Sequence, residues 1–287
     1  MAAVTWGEAD LRTENVDHAV KAVAQKAFIL RELCAVDSSS AWTETYYRED
    51  NADLVGGSGS NVKGIPRLAA FPGGTPNWTK VSSVVLKYGM EDIIPMEDQM
   101  LDNLPVMARS IIKVGRAVAN SEDIAIHAVM AASYGNTSAI SAGYEWDSAT
   151  VANRLVIQEL LDAMQTMRVD NIDPLDNCYL VVNGQDYSNI MANAQVVNNP
   201  SFKTADVVSN GTVGQICGMK IKVTESIAAD TAYIVKGKEA MVIKEAKALT
   251  VEQILDPGIK TTIRAYEIIA IQMVNPNACV KITNTRK

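Results

Sequence analysis

Apolar residues recur three and four positions apart from Asn15 to Val36, with Val16, Val20, Val23, Ala27, Leu30 and Leu33 on one face. That period predicts a helix, and Asn15 supplies its N-cap. The stripe must be buried, either in the core of its own domain or against a neighbouring subunit. The period falls to two in "AWTETYYRED", Ala41 to Asp50, where Trp, Thr and Tyr alternate as in a strand. A second strand is predicted in "TKVSSVVLKYGMEDIIP", Thr79 to Pro95. There Val84, Leu86, Tyr88 and Met90 share one face, and Ser83, Val85 and Lys87 the other. Antiparallel pairing of the two makes a long hairpin.

The strongest helical signal runs from Asn103 to about Ser133. Asn103 can cap it, and Pro105 in the first turn loses no hydrogen bond there. At 1.5 Å per residue this is a rod of roughly 45 Å. Its stripe (Leu104, Ala108, Ile111, Gly115, Val118, Ala125, Val129, Ala132) is rich in small residues, which admits a close neighbour. Beyond Ser148 the pattern becomes α/β. A helix is predicted over Thr150 to Arg168 and a buried strand over Cys178 to Asn183. A short helix follows in "GQDYSNIMANA", then strands near Lys220–Thr224 and Ala232–Val235. The C-terminal part, which includes the long run Ile263 to Val274, reads as three or four more strands.

Between the first two strands lies "GGSGSNVKGIPRLAAFPGGTPNWTK", Gly56 to Lys80, with six glycines and three prolines. Connections in compact domains usually span about 4–6 residues. Ile65, Leu68, Phe71 and Trp78 argue against a simple linker, because a linker has nothing to bury them in. Pro66, Pro72 and Pro76 favour extended chain. The stretch reads as an arm projecting from the body.

Composition narrows the function more by exclusion than by signal. The chain has 287 residues, 48% hydrophobic and 21% charged, enough for a sizeable core in about one or two domains. A net charge of -7 argues against a dedicated nucleic-acid-binding surface. Cys34, Cys178, Cys217 and Cys279 form no CxxC pair and read as small buried hydrophobes in a reducing compartment. Met1 to Asp10 lacks the apolar region of a signal peptide, and no apolar run is long enough to predict a membrane span.

No catalytic constellation emerges. His18 and His127 each sit on a predicted helix with no second ligand at metal spacing. Neither a G-x-S-x-G elbow nor a GxxxxGK[ST] loop occurs. The acidic pairs Glu97-Asp98 and Glu122-Asp123 read as solvated helix faces. No cofactor and no metal are expected, and the protein is read as a non-enzyme.

The order of elements resembles the HK97-like major capsid proteins of tailed double-stranded DNA viruses. "WTKVSSVVLKYGMEDIIPMEDQMLDNLPVMARSIIKVGRAVANSEDIAIHAVMAASYG" resembles that family's passage from extended loop into spine helix, ending on its "E-D-x-A" segment and a glycine turn. "LDAMQTMRVDNIDPLDNCYLVVNGQDYSNIMANA" is similar to its axial helix, strand and short helix. "GQICGMKIKVTESI" and "KTTIRAYEIIAIQMVNPNACVKI" resemble its later strands.

The resemblance implies an α+β, HK97-like fold. Residues 1–50 would be an N-terminal arm and 51–95 an extended loop. Residues 96–145 and 236–275 would form a peripheral domain, with the spine helix on a sheet. Residues 146–235 and 276–287 would form an α/β axial domain. It further implies a subunit that self-assembles into hexamers and pentamers of an icosahedral head around non-specifically held double-stranded DNA. Scaffolding, portal and decoration proteins would be its other partners, and it would reside in the virion after assembly in the host cytoplasm. Ile65, Leu68, Phe71 and Trp78 would bury on an adjacent subunit, with Arg67 a salt-bridge candidate there. Val16, Val20, Val23 and Leu30 would do likewise if the first helix reaches a neighbour. An encapsulin-like compartment holding cargo enzyme is the alternative on the same fold, and an unrelated α/β enzyme the alternative outside it.

Overall fold

A computed structural model describes residues 13–49, 67–68, 78–100, 106–193, 196 and 215–287. The first helix, α1, spans Thr13–Ala27 and ends earlier than its periodicity predicts. The cause lies 93 residues further on. Asp123 accepts hydrogen bonds from the backbone N–H of Leu30 at 2.9 Å and of Ile29 at 3.2 Å. Held there, the chain turns through a short 3-10 segment, Arg31–Leu33, and enters strand β1, Ala35–Ser38.

Two strands, β2 (Thr43–Glu49) and β3 (Trp78–Val84), pair antiparallel as a separate two-stranded ribbon. The single strand expected over Thr79 to Pro95 is thus two. Val85 separates β3 from β4, Leu86–Pro95, and donates its N–H to the carbonyl of Trp42 at 3.1 Å. β4 enters a different sheet. A short helix, α2 (Met96–Met100), follows, and then the long helix α3, Val106–Ser133. Its 28 residues make a rod of about 42 Å.

Helix α3 lies on a four-stranded sheet ordered β1-β10-β11-β4, in which β10 (Met241–Asp256) and β11 (Lys260–Met273) are the long antiparallel pair. Helix α1 packs on α3 in turn. Val16 and Val20 close a core with Val114 and Val118 of α3 and Ile94, Val251 and Ile263 of the sheet. The small-residue stripe makes this possible. A Cβ at Gly115 would sit 3.1 Å from both the Val20 carbonyl oxygen and Val23 Cγ1, so the helices approach where a side chain would force them apart.

The second sheet has six strands in the order β5-β12-β9-β6-β8-β7. These are β5 (Asn136–Ala139), β6 (Cys178–Val182), β7 (Gln215–Ile216), β8 (Met219–Val223), β9 (Thr231–Lys236) and β12 (Cys279–Thr283). All five residues of β6 are buried, as their unbroken apolar run requires of a strand covered on both faces. Helix α4 (Val156–Val169) packs on β5 and β12, and α5 (Gly184–Ala192) is capped by the side chain of Asn183. Helix α4 starts six residues later than predicted. Val151–Asn153 form a 3-10 turn instead, and Arg154 Nε donates to the Ser148 carbonyl at 2.7 Å. The C-terminal part holds three strands, β10, β11 and β12. Three placements cross the segment boundaries suggested by the resemblance, the first being β4, which lies within 51–95 and is built into the four-stranded sheet. β1, within 1–50, is built into the four-stranded sheet, and β5, within 96–145, into the six-stranded one.

Candidate assembly surface

The ribbon exposes what the two sheets bury. In its register Tyr46 faces Val81 and Glu44 faces Ser83 on a half-buried side, while Thr43–Val84, Thr45–Ser82 and Tyr47–Lys80 make the outward side. Among the described side chains of β2 and β3, none is fully buried. A lone two-stranded ribbon is marginal in water, and this one is fastened to the body near both of its ends. Arg48 Nε donates to the Met273 carbonyl at 2.8 Å, and Gln272 Nε2 donates to Ser83 Oγ at 2.8 Å. Despite these fastenings, Trp42 is 85% exposed, Trp78 53% and Tyr47 51%. The Tyr47 and Trp78 rings lie 5.9 Å apart at a tilt of 57°, a preformed aromatic pair on the outward side.

Of the residues singled out from the sequence, Trp78 belongs to this surface. Arg67 and Leu68 are exposed, and Ile65 and Phe71 lie outside the described residues. The first-helix set stands apart. Val16, Val20 and Leu30 are buried inside their own subunit and Val23 is half-buried against Gly115, in place of the exposure that contact with a neighbour would need. Trp42 and Tyr47 belong to the outward surface although the sequence did not mark them. A tryptophan at the entry of a polar, alternating strand is the signal that could have done so.

Glu122 and Asp123 are the larger correction. Both were expected on a solvated face, and both are buried. Glu122 Oε2 accepts from Arg31 Nη1 at 2.9 Å, Glu267 Oε2 on β11 accepts from the same nitrogen at 3.2 Å, and Glu245 Oε1 on β10 accepts from Arg31 Nη2 at 2.8 Å. One guanidinium therefore ties the chain after α1 to helix α3 and to both long strands. Burial, then the neighbouring Glu267 charge, pushes Glu122 up to about 8 against the pull of Arg31. Burial raises Glu267 as well. Glu32, next to Arg31, pairs with Lys222 of β8 and so links this junction to the six-stranded sheet. The two histidines take no part. His18 is exposed, and His127 stands edge-on to Tyr233 at 5.7 Å. Cys34, Cys178 and Cys279 are buried free thiols and Cys217 is half-buried.

Residues 84–282 match the family model described as phage capsid protein. No curated protein sequence matches the chain. Among solved structures, the capsid of cyanophage P-SCSP1u superposes with a TM-score of 0.67 at 15% identity, covering 89% of this chain and 88% of that one. The mature capsid of bacteriophage PhiM1 gives 0.63 at 13% identity, covering 91% and 88%. A virus-like particle from Pyrococcus furiosus gives 0.63 at 12% identity, covering 94% and 98%. The fold is that of HK97-like capsid subunits.

Proposed function

The chain belongs to the phage capsid protein family, and from that premise we propose that this major capsid protein closes an icosahedral head of hexamers and pentamers by laying its ribbon on an adjacent subunit. The observation that carries this reading is the ribbon itself, fastened to the body near both ends yet offering Trp42, Tyr47 and Trp78 outward. Burying one large apolar side chain contributes about 1.5–3 kcal/mol, against roughly 1–2 kcal/mol for ordering each residue that must be fixed. Single contacts are therefore weak, and a closed symmetric shell multiplies them. The arm tip carrying Ile65, Arg67, Leu68 and Phe71 extends the same contact.

Other exposed apolar groups suit the remaining contacts of a shell. Leu255 and Ile259 flank the β10–β11 turn, and Leu161, Val169 and Leu175 lie beside the six-stranded sheet. In this reading the four-stranded sheet with α3 is the peripheral domain, the six-stranded sheet the axial domain, and β5 and β12 belong to the latter. The shell holds double-stranded DNA without sequence preference. A net charge of -7 suits that role, since tight phosphate binding would oppose filling and emptying the head. Assembly takes place in the host cytoplasm, with scaffolding, portal and decoration proteins as further partners. The role is structural and not enzymatic. The encapsulin-like alternative is not favoured, because the matching family model is that of phage capsid proteins.

Electron microscopy and size-exclusion chromatography of the protein, alone and with the scaffolding protein of its virus, test this. Shells, hexamers, pentamers or tubes are expected. A monomer under both conditions would overturn the proposal, and shells filled with cargo enzyme in place of DNA would restore the compartment reading.

A further inference from the structure

The junction between α1 and α3 holds more acid than one arginine can neutralise. Arg31 meets three carboxylates, Glu122, Glu245 and Glu267. Glu245 stands at the rim of an open groove of about 570 Å³ lined also by Lys21, Phe28 and Glu32, where water can reach it. Glu122 and Glu267 have no such outlet, since both side chains are fully buried. Each gives Oε2 to Arg31 and leaves Oε1 with no hydrogen-bond partner in the structure. Two orphaned carboxylate oxygens on adjacent buried acids are what remains when a proton that joins them is left out of the count. With that proton the pair carries one negative charge, which Arg31 balances. Without it, two negative charges face each other in a dry site.

The other titratable groups around the pair supply no second positive charge. Asp123 on α3 is occupied by the N–H groups of Ile29 and Leu30. Cys34, after the turn, is raised by burial and then by Glu122. Tyr88 on β4 is raised by burial and by the charges of Glu267 and Glu122. All three are either already spoken for or neutral over ordinary pH.

We propose that the Glu122–Glu267 pair is a proton-held latch: one shared proton lets Arg31 fasten the 28–34 turn to α3 and the four-stranded sheet, and losing it in alkaline solution frees the turn. The direction follows from linkage. The folded pair keeps a proton that an unfolded glutamate loses near its ordinary 4.5. Its stabilisation is thus complete below that pH, declines above it, and is gone once the pH has risen through about 8.

Hydrogen exchange on the full-length protein at pH 6 and pH 9, corrected for intrinsic exchange rates, tests the latch. Protection of the amides of Ile29, Leu30, Leu33 and Cys34 is expected to fall about tenfold or more, while the amides of β6 keep theirs. Glu267→Gln carries a permanent neutral mimic of the protonated acid and is expected to abolish the fall. Glu122→Gln makes the same prediction and stands in if the first variant does not fold. Protection independent of pH in the unaltered protein, or an undiminished fall in the variants, would overturn the proposal. So would failure of both variants to fold, because a latch that works with one of its two acids protonated tolerates a neutral isostere of that acid.

Discussion

Two segments of this chain look alike in the sequence, as elements that reach out, and the structure separates them. Helix α1 and the turn after it spend their apolar residues at home, with Val16, Val20, Leu30 and Leu33 all buried. The β2–β3 ribbon spends almost nothing at home and carries Trp42, Tyr47 and Trp78 in the open. The difference is one of geometry. A helix with one stripe can lie down on a neighbouring helix, provided that helix offers a gap, and Gly115 is that gap. A ribbon of two strands has two faces and can satisfy only one of them at its own body.

If the contrast is real, substitutions in the two segments must fail in different ways. The largest cost to the isolated subunit is expected from Leu30→Ala, about 2–5 kcal/mol of stability, read by chemical denaturation. Asp123→Ala removes the acceptor that ends α1, leaving two N–H groups without it, and is expected to cost about 1–3 kcal/mol in the same measurement. Trp78→Ala is expected to change subunit stability by less than about 0.5 kcal/mol. In a light-scattering assembly assay it should nonetheless slow or abolish shell formation. A Trp78→Ala subunit that unfolds would place the ribbon in the subunit's own core and end the comparison. The smallest overall effect, with no loss of assembly, belongs to the exposed pair of Arg264 and Glu91, 2.8 Å apart. Glu91→Gln should cost the subunit about 0.2–1 kcal/mol, less at high salt.

Local pattern carried much of this fold. The small-residue stripe announced both the length of α3 and the closeness of its partner, and the unbroken apolar run of Cys178 to Val182 announced a strand at the centre of a sheet. What the sequence hid was whatever depends on distant partners. The residues meeting Arg31 lie 91, 214 and 236 positions away, so Glu122 looked like any surface acid on a helix. The end of α1 at Ala27 was hidden for the same reason, since the Asp123 carboxylate that stops it comes from another helix. The outward aromatic pair was half legible. Trp78 stood out beside a glycine-rich stretch, whereas Tyr47 passed as an ordinary strand residue, because alternation says which residues share a face but not which face meets water.

Only Val85 stands between β3 of the ribbon and β4 of the four-stranded sheet. That residue is buried, and its N–H is held by the carbonyl of Trp42, just before the opposite strand. The ribbon therefore joins the sheet twice, through Val85 into β4, which is bonded to β11 over ten residue pairs, and through Arg48 at its outer end onto the Met273 carbonyl. Force applied at the Tyr47–Trp78 end thus has two load paths into the sheet beneath α3, one along the backbone and one through Arg48. A subunit gripped by its ribbon would therefore pass the load to paired strands and not to a loop.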